Sequence, residues 1–175
     1  MKNVGKIEDL PKEDLFELTK IYAKNWLAHD GCWFLSIEGK YGMDTAIEMD
    51  TESWRKFTVI EAQRLIEFLE LGKNSGSQGL KKALFFRLYS CLNEDEVIVN
   101  EADKTVEYRV KTCRVQAARR RKGLKDFPCK SVGIVEYGYF AKTIDQRFET
   151  EVISCPPDIT NPDYYCIWRF KMSER

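Results

Sequence analysis

The spacing of apolar residues first changes near residue 92 of these 175, and that switch limits the fold more than any other feature. Before it, apolar residues recur every three to four positions, the period of a helix; directly after it they alternate, the period of a strand. Leu15, Leu18, Tyr22 and Trp26 form one helical stripe behind Pro11, which suits a first turn, and Gly31 reads as the stop. Residues 33–37 are expected as a short strand or packed connector, and residues 43–49 as a short helical turn. Asp50 or Thr51 can cap the next helix, whose face carries Trp54, Phe57, Glu61, Leu65, Phe68 and Leu69 and which ends at Gly72. Gly79 and Leu80 open a third, with a stripe of Leu80, Ala83, Leu84, Leu88 and Cys91.

Beyond the switch, Val97, Ile98 and Val99, a turn at residues 101–104, and Val106, Tyr108 and Val110 interleaved with Glu107, Arg109 and Lys111 predict a hairpin. Residues 114–122 return to helical character, and Ser131 can cap a helix through Val132, Val135, Tyr139, Phe140 and Ile144. Residues 150–155 and 164–170 are the last two strands. Neither repeat nor linker interrupts the chain. The expected fold is α+β: one domain over residues 1–175, mainly helical over 1–92, with amphipathic helices on one face of a small antiparallel sheet of about four strands.

Lys plus Arg and Asp plus Glu both number 28, so no global field draws the chain to nucleic acid or an anionic membrane. No apolar run approaches the roughly 20 residues of a membrane span. The N-terminus leads into an acidic amphipathic stretch rather than a signal-peptide core, which argues for the cytoplasm. Thiols stay reduced there, and clustered cysteines more often bind metal or act chemically than form disulfides. The chain has six cysteines. Cys91, behind Leu84 and Leu88, and Cys32, between Gly31 and Trp33, read as core packing.

The other four are candidates for one site. Cys155 closes one strand and Cys166 lies in the next, with three prolines in the loop between. A hairpin there sets both thiols at one end of the sheet, Cys113 can reach the same end, and Cys129 returns after an excursion. Soft thiolates suit zinc or iron, although no CxxC pair is present. Metal ligation by Cys113, Cys129, Cys155 and Cys166, buried packing and a metal-free reactive thiol all remain open.

Cys113, Gln116 and Arg120 would share a helical face, with Arg119 beside them. A thiol at a helix N-terminus near guanidinium groups has a lowered pKa; Gln116 can polarise an oxyanion, and Arg119 or Arg120 can hold a carboxylate. Arg121 and Lys122 read as a solvated basic face. His29, the lone histidine, is a candidate general base oriented by Asp30, against the alternative of a helix C-cap. Trp26, Trp33 and Phe34 would wall a planar ligand. Glu61 lies on an apolar stripe and needs a partner, with Arg64 one turn on, or becomes a ligand-binding carboxylate.

Assembled, these residues resemble a family of small, largely uncharacterised cytosolic proteins of anaerobic bacteria and archaea. The likeness rests on Trp26-x-x-His-Asp-Gly-x-Trp-Phe34, Trp54 with Glu61-Ala-x-Arg64, and Cys113-x-x-Gln-x-x-Arg119. It continues through Gly123-Leu-x-x-Phe-Pro-Cys129, Gly133, Phe140-Ala-x-x-Ile-Asp145, Cys155-Pro-Pro-Asp158 and Cys166-x-Trp168. That family is distantly similar to the L-2-amino-thiazoline-4-carboxylic acid hydrolases, which open a sulfur-containing ring. A weaker likeness is to small ligand-sensing domains of the vinyl-reductase type.

Two functions follow as expectations. The first is a hydrolase-like enzyme on a small carboxylated substrate, cyclic C–N/C–S compounds included. Cys113, Cys129 or Cys155 would be nucleophile or metal ligand, His29 base, Asp30 its orienter, Gln116 polariser, and Arg119 or Arg120 anchor. The second is a non-enzymatic domain that senses a small ligand or a metal, zinc or iron, through the same thiols. The expected partner is a small molecule, with no nucleic acid and no membrane, and a homodimer stays open.

Overall fold

The computed structural model describes residues 4–173. A 3-10 turn, Ile7–Asp9, leads into α1 (Lys12–Tyr41), followed by α2 (Met43–Phe68) and α3 (Gly76–Phe85). The chain continues as β1 (Glu94–Asn100), β2 (Thr105–Thr112), α4 (Arg114–Arg121), α5 (Lys130–Ile144), β3 (Phe148–Ser154) and β4 (Cys166–Met172). The four strands form one antiparallel sheet in the order β1-β2-β4-β3. The expected α+β architecture is present.

One face of that sheet is core. Val106, Tyr108 and Val110 point inward from β2, and Tyr108 sits opposite Trp168, Val106 opposite Phe170 and Val110 opposite Cys166 on β4. The other face is a lattice of charge, in which Glu107 accepts from both Arg109 and Arg169. Such one-sided solvation is the usual state of an antiparallel sheet. α3 and α5 cover the inner face, and α2 lies over α5, where Thr58 donates its hydroxyl to the Glu136 carbonyl at 3.1 Å.

α5 seats tightly because of one glycine. A Cβ at Gly133 would fall 2.5 Å from the Trp168 ring, so only a hydrogen fits between helix and sheet.

The helical half departs from its sequence reading. Gly31 does not stop α1, which runs on to Tyr41 through residues 33–37. A glycine inside a helix costs about 1 kcal/mol, and contacts on both sides of it hold the helix regular. Trp26 packs on Trp54 and Phe57, and Phe34 on Phe127. The true break is Gly42, at φ 89°, a conformation glycine adopts without strain. It alone joins α1 to α2, so residues 43–49 begin α2 and neither Asp50 nor Thr51 caps anything. α3 opens at Gly76 rather than Gly79 and stops at Phe85, which leaves Leu88 and Cys91 in the following turns. Cys91 and Cys32 are both exposed rather than packed. The helix over residues 130–144 falls where expected, although Cys129 rather than Ser131 occupies its cap position. The two final strands are present but displaced by one or two residues from 150–155 and 164–170.

Candidate functional site

A cavity of about 200 Å³ opens where α1, α2, α4 and α5 meet the end of the sheet. All four sequence-predicted thiols, Cys113, Cys129, Cys155 and Cys166, line it. The strand logic explains their meeting. Cys166 starts β4 opposite Val110, Cys113 follows the end of β2, and Cys155 follows the end of β3. Cys129 joins them because two loops are stitched together. The Lys130 N–H donates to the Pro156 carbonyl at 3.0 Å, and the Lys130 ammonium pairs with Asp158 at 2.9 Å.

The Cys129 and Cys155 sulfurs lie 3.6 Å apart. Cys129 occupies the N-cap of α5 and also receives the Gln116 amide Nε2 at 3.8 Å. The thiol of Cys155, then the local backbone N–H and Gln116, hold the Cys129 thiol below its usual range against the opposing effect of burial. Cys155 is the complementary partner: its proton, donated to Cys129, is held more tightly than in a free thiol. Burial pushes Cys113 up to about 11 and Cys166 well above the ordinary thiol range.

This reverses the expectation for Cys113. It does cap α4, but desolvation outweighs the backbone N–H groups that favour its thiolate. Gln116 is fully buried and engaged at both ends by the backbone of Phe127, so it positions the segment leading to Cys129. Arg119 turns inward, but Glu38 takes both terminal nitrogens, at 2.7 and 3.0 Å, and the Lys125 carbonyl takes Nε. Arg120 points to solvent and pairs with Asp126, so the face shared with Gln116 belongs to Arg119 and not Arg120. Neither arginine is a free anchor for a substrate carboxylate. Arg114 and Lys122 are the other cations on the cavity wall.

His29 is exposed and is not part of the wall. Because α1 continues through Gly31, Leu27, Asp30 and Phe34 share the inward face, while His29 lies about 100° round the helix. Trp33 is 67% exposed and likewise points away; Phe34 takes the wall position expected of it.

Asp30 meets a second carboxylate that the sequence reading treated as a cap, Asp50 of α2. The one-residue joint at Gly42 folds the two helices back on each other and brings both onto the cavity. Burial, then the charge of Glu136, pushes Asp30 up to about 6, with nearby His29 opposing. Burial, then Asp30 and Glu136, pushes Asp50 up to about 7 against a hydrogen bond from Trp54.

Glu136 went unnoticed in the sequence, although it falls one turn from both Val132 and Phe140 on the buried face of α5. It shares Arg87 with Glu61. Arg87 donates to Glu136 at 2.7 Å and to Glu61 at 2.8 and 3.0 Å, and Tyr89 donates its hydroxyl to Glu136. Glu61 therefore pairs with Arg87 rather than Arg64 and is not part of the cavity wall. Among the described residues, no group of three or more histidine, cysteine, aspartate and glutamate side chains is arranged to hold a metal ion. No described helix is long and apolar enough to cross a membrane.

The cavity thus combines one acidified thiol, a hydrogen-bonded second thiol and two carboxyls that titrate close to neutrality, inside an aromatic wall that includes Trp54 and Tyr137. The model of a family of unknown function, DUF6125, matches residues 8–172. No curated protein and no solved structure matches the chain.

Proposed function

We propose, for a chain that belongs to the family of unknown function DUF6125, a hydrolase-like enzyme in which Cys129 is the nucleophile. The observation that carries this reading is the acidified Cys129 thiol at the mouth of α5, in a cavity that also presents Asp30 and Asp50. A thiolate is the reactive form of cysteine, and Cys155 with Gln116 maintains it without a histidine. Cys129 attacks an electrophilic carbon of a small substrate. A protonated Asp30 or Asp50 then gives its proton to the departing nitrogen or sulfur, and water releases the adduct from Cys129. Carboxyls that titrate near neutrality are suited to that transfer. Arg114 and Lys122 supply positive charge for a substrate carboxylate.

The distant similarity to L-2-amino-thiazoline-4-carboxylic acid hydrolases supplies the first substrate to try, a ring whose opening frees a thiol. Protein purified without air should release that thiol, and C129S should not. Iodoacetamide near neutral pH should label Cys129 well before Cys113 or Cys166 in the native protein. Equal labelling of all three would overturn the assignment. Stoichiometric zinc or iron held by the four cavity thiols would instead favour the alternative, a domain that senses a metal or a small ligand.

A further inference from the structure

We propose that Cys129 and Cys155 are a redox-active dithiol, with which the chain carries out two-electron exchange with small-molecule disulfides. The inference shares Cys129 with the hydrolytic reading, but it is read by mass and thiol count rather than turnover, so either can fail alone.

Three observations support it. First, the sulfurs are in contact at 3.6 Å inside a cavity open to small molecules. Second, both backbones are fixed beside each other. Lys130 N–H binds the Pro156 carbonyl, Cys155 N–H binds the Asp158 carbonyl at 3.2 Å, and Lys130 pairs with Asp158. These contacts hold the two cysteines in neighbouring positions, with their sulfurs in reach of each other. Third, the two thiols are unequal. Cys129 is the better thiolate and Cys155 the proton donor, which is the division between an attacking and a resolving cysteine.

The exchange balances in two steps. The Cys129 thiolate attacks one sulfur of the disulfide RSSR, forms a mixed disulfide and expels RS⁻. Cys155 then passes its proton to that RS⁻, attacks the Cys129 sulfur and expels the second RS⁻, which takes up the proton released when Cys129 ionised. Two protein thiols and one RSSR become one protein disulfide and two RSH. The protein is oxidised by two electrons and the small disulfide is reduced by two. Cys113 and Cys166 line the same cavity, but the sulfur contact to Cys129 comes from Cys155.

The probe is oxidised glutathione, added to the reduced full chain. Exposed Cys32 and Cys91 would react on their own account, so the background is C32S/C91S. Expected is the loss of two of the four remaining thiols, a mass lower by two hydrogens and no bound glutathione. The tryptic peptide of residues 126–130 should be joined to that of residues 148–169. The latter also holds Cys166, so the same link must form in C166A. With C155A or C155S, the reaction should stop with one glutathione on Cys129, removable by reductant. Glutathione that stays on Cys129 when Cys155 is present would overturn the proposal. So would a link through Cys113 or Cys166, or thiols that react only after denaturation.

Discussion

Gln116 clasps the backbone of Phe127 with both ends of its amide, Nε2 donating to the carbonyl at 2.8 Å and Oε1 accepting the N–H at 2.9 Å. The same Nε2 reaches toward the Cys129 sulfur. One buried side chain thus fixes the segment that carries the acidified thiol.

Q116A should therefore act twice. It leaves the buried Phe127 N–H unsatisfied, a loss of about 1–3 kcal/mol, while the Phe127 carbonyl keeps the Cys129 N–H at 2.9 Å. It also removes a donor to Cys129, so the pH at which iodoacetamide labelling reaches half its maximal rate should move upward. Chemical denaturation reads the first effect and pH-dependent alkylation the second. Q116E keeps an acceptor for the Phe127 N–H but sets a buried carboxylate oxygen against the Phe127 carbonyl and the Cys129 sulfur, so it should cost at least as much stability and raise the labelling pH further.

Arg87 is buried between two carboxylates, Glu61 and Glu136, with the Phe140 ring 4.6 Å from its guanidinium. Removing one member of such a group leaves charge stranded in the core, a loss of about 3–5 kcal/mol. R87L should cost that much at neutral pH. E61Q should cost less, because its one amide oxygen can still accept from Arg87, although its NH2 group then faces the Leu88 N–H. Urea unfolding followed by tryptophan fluorescence distinguishes them.

The carboxyls of the cavity make stability depend on pH in a defined direction. Asp30 and Asp50 titrate higher in the folded chain than in the unfolded one, at about 6 and about 7. The folded state then binds more protons, so their contribution weakens as pH rises from about 4 to about 7 and stays low above that. D50N should raise the melting temperature at about pH 8 and change it little at about pH 4. A D50N profile parallel to that of the wild type would contradict the assignment.

G133A should place a methyl group into the Trp168 ring. Overpacking of this kind costs about 1–3 kcal/mol. Trp168 is 1% exposed, so its near-UV circular dichroism should change together with the melting temperature.

The strand half of this fold was readable because its pattern is local. Val106, Tyr108 and Val110 alternate with charged residues, and the pairing of the last two strands brings Cys155 and Cys166 to one end. The meeting of Cys155 and Cys166 follows from that alone, whereas Cys129 joins through the contacts of Lys130 with Pro156 and Asp158. The helical half was misread at Gly31, where local propensity said stop and contacts from Trp26 and Phe34 overrode it. The error carried into chemistry: with α1 broken there, His29 looked central and Asp50 looked like a cap. The run Ala23, Leu27, Asp30, Phe34 was the available signal, a helical stripe passing straight through the glycine. Nothing local distinguishes Arg87 as the partner of Glu61, because 26 residues separate them.

The walls of the cavity come from α1, α2, α4 and α5 and from the sheet, so it is complete only when both halves of the chain are packed together. Occupancy and global unfolding are consequently coupled equilibria, and any molecule that fits should delay melting of the whole chain. At a concentration 100 times its dissociation constant, a ligand adds about 2.7 kcal/mol. A thermal-shift survey of small acidic metabolites therefore reports on this chamber before any turnover assay exists.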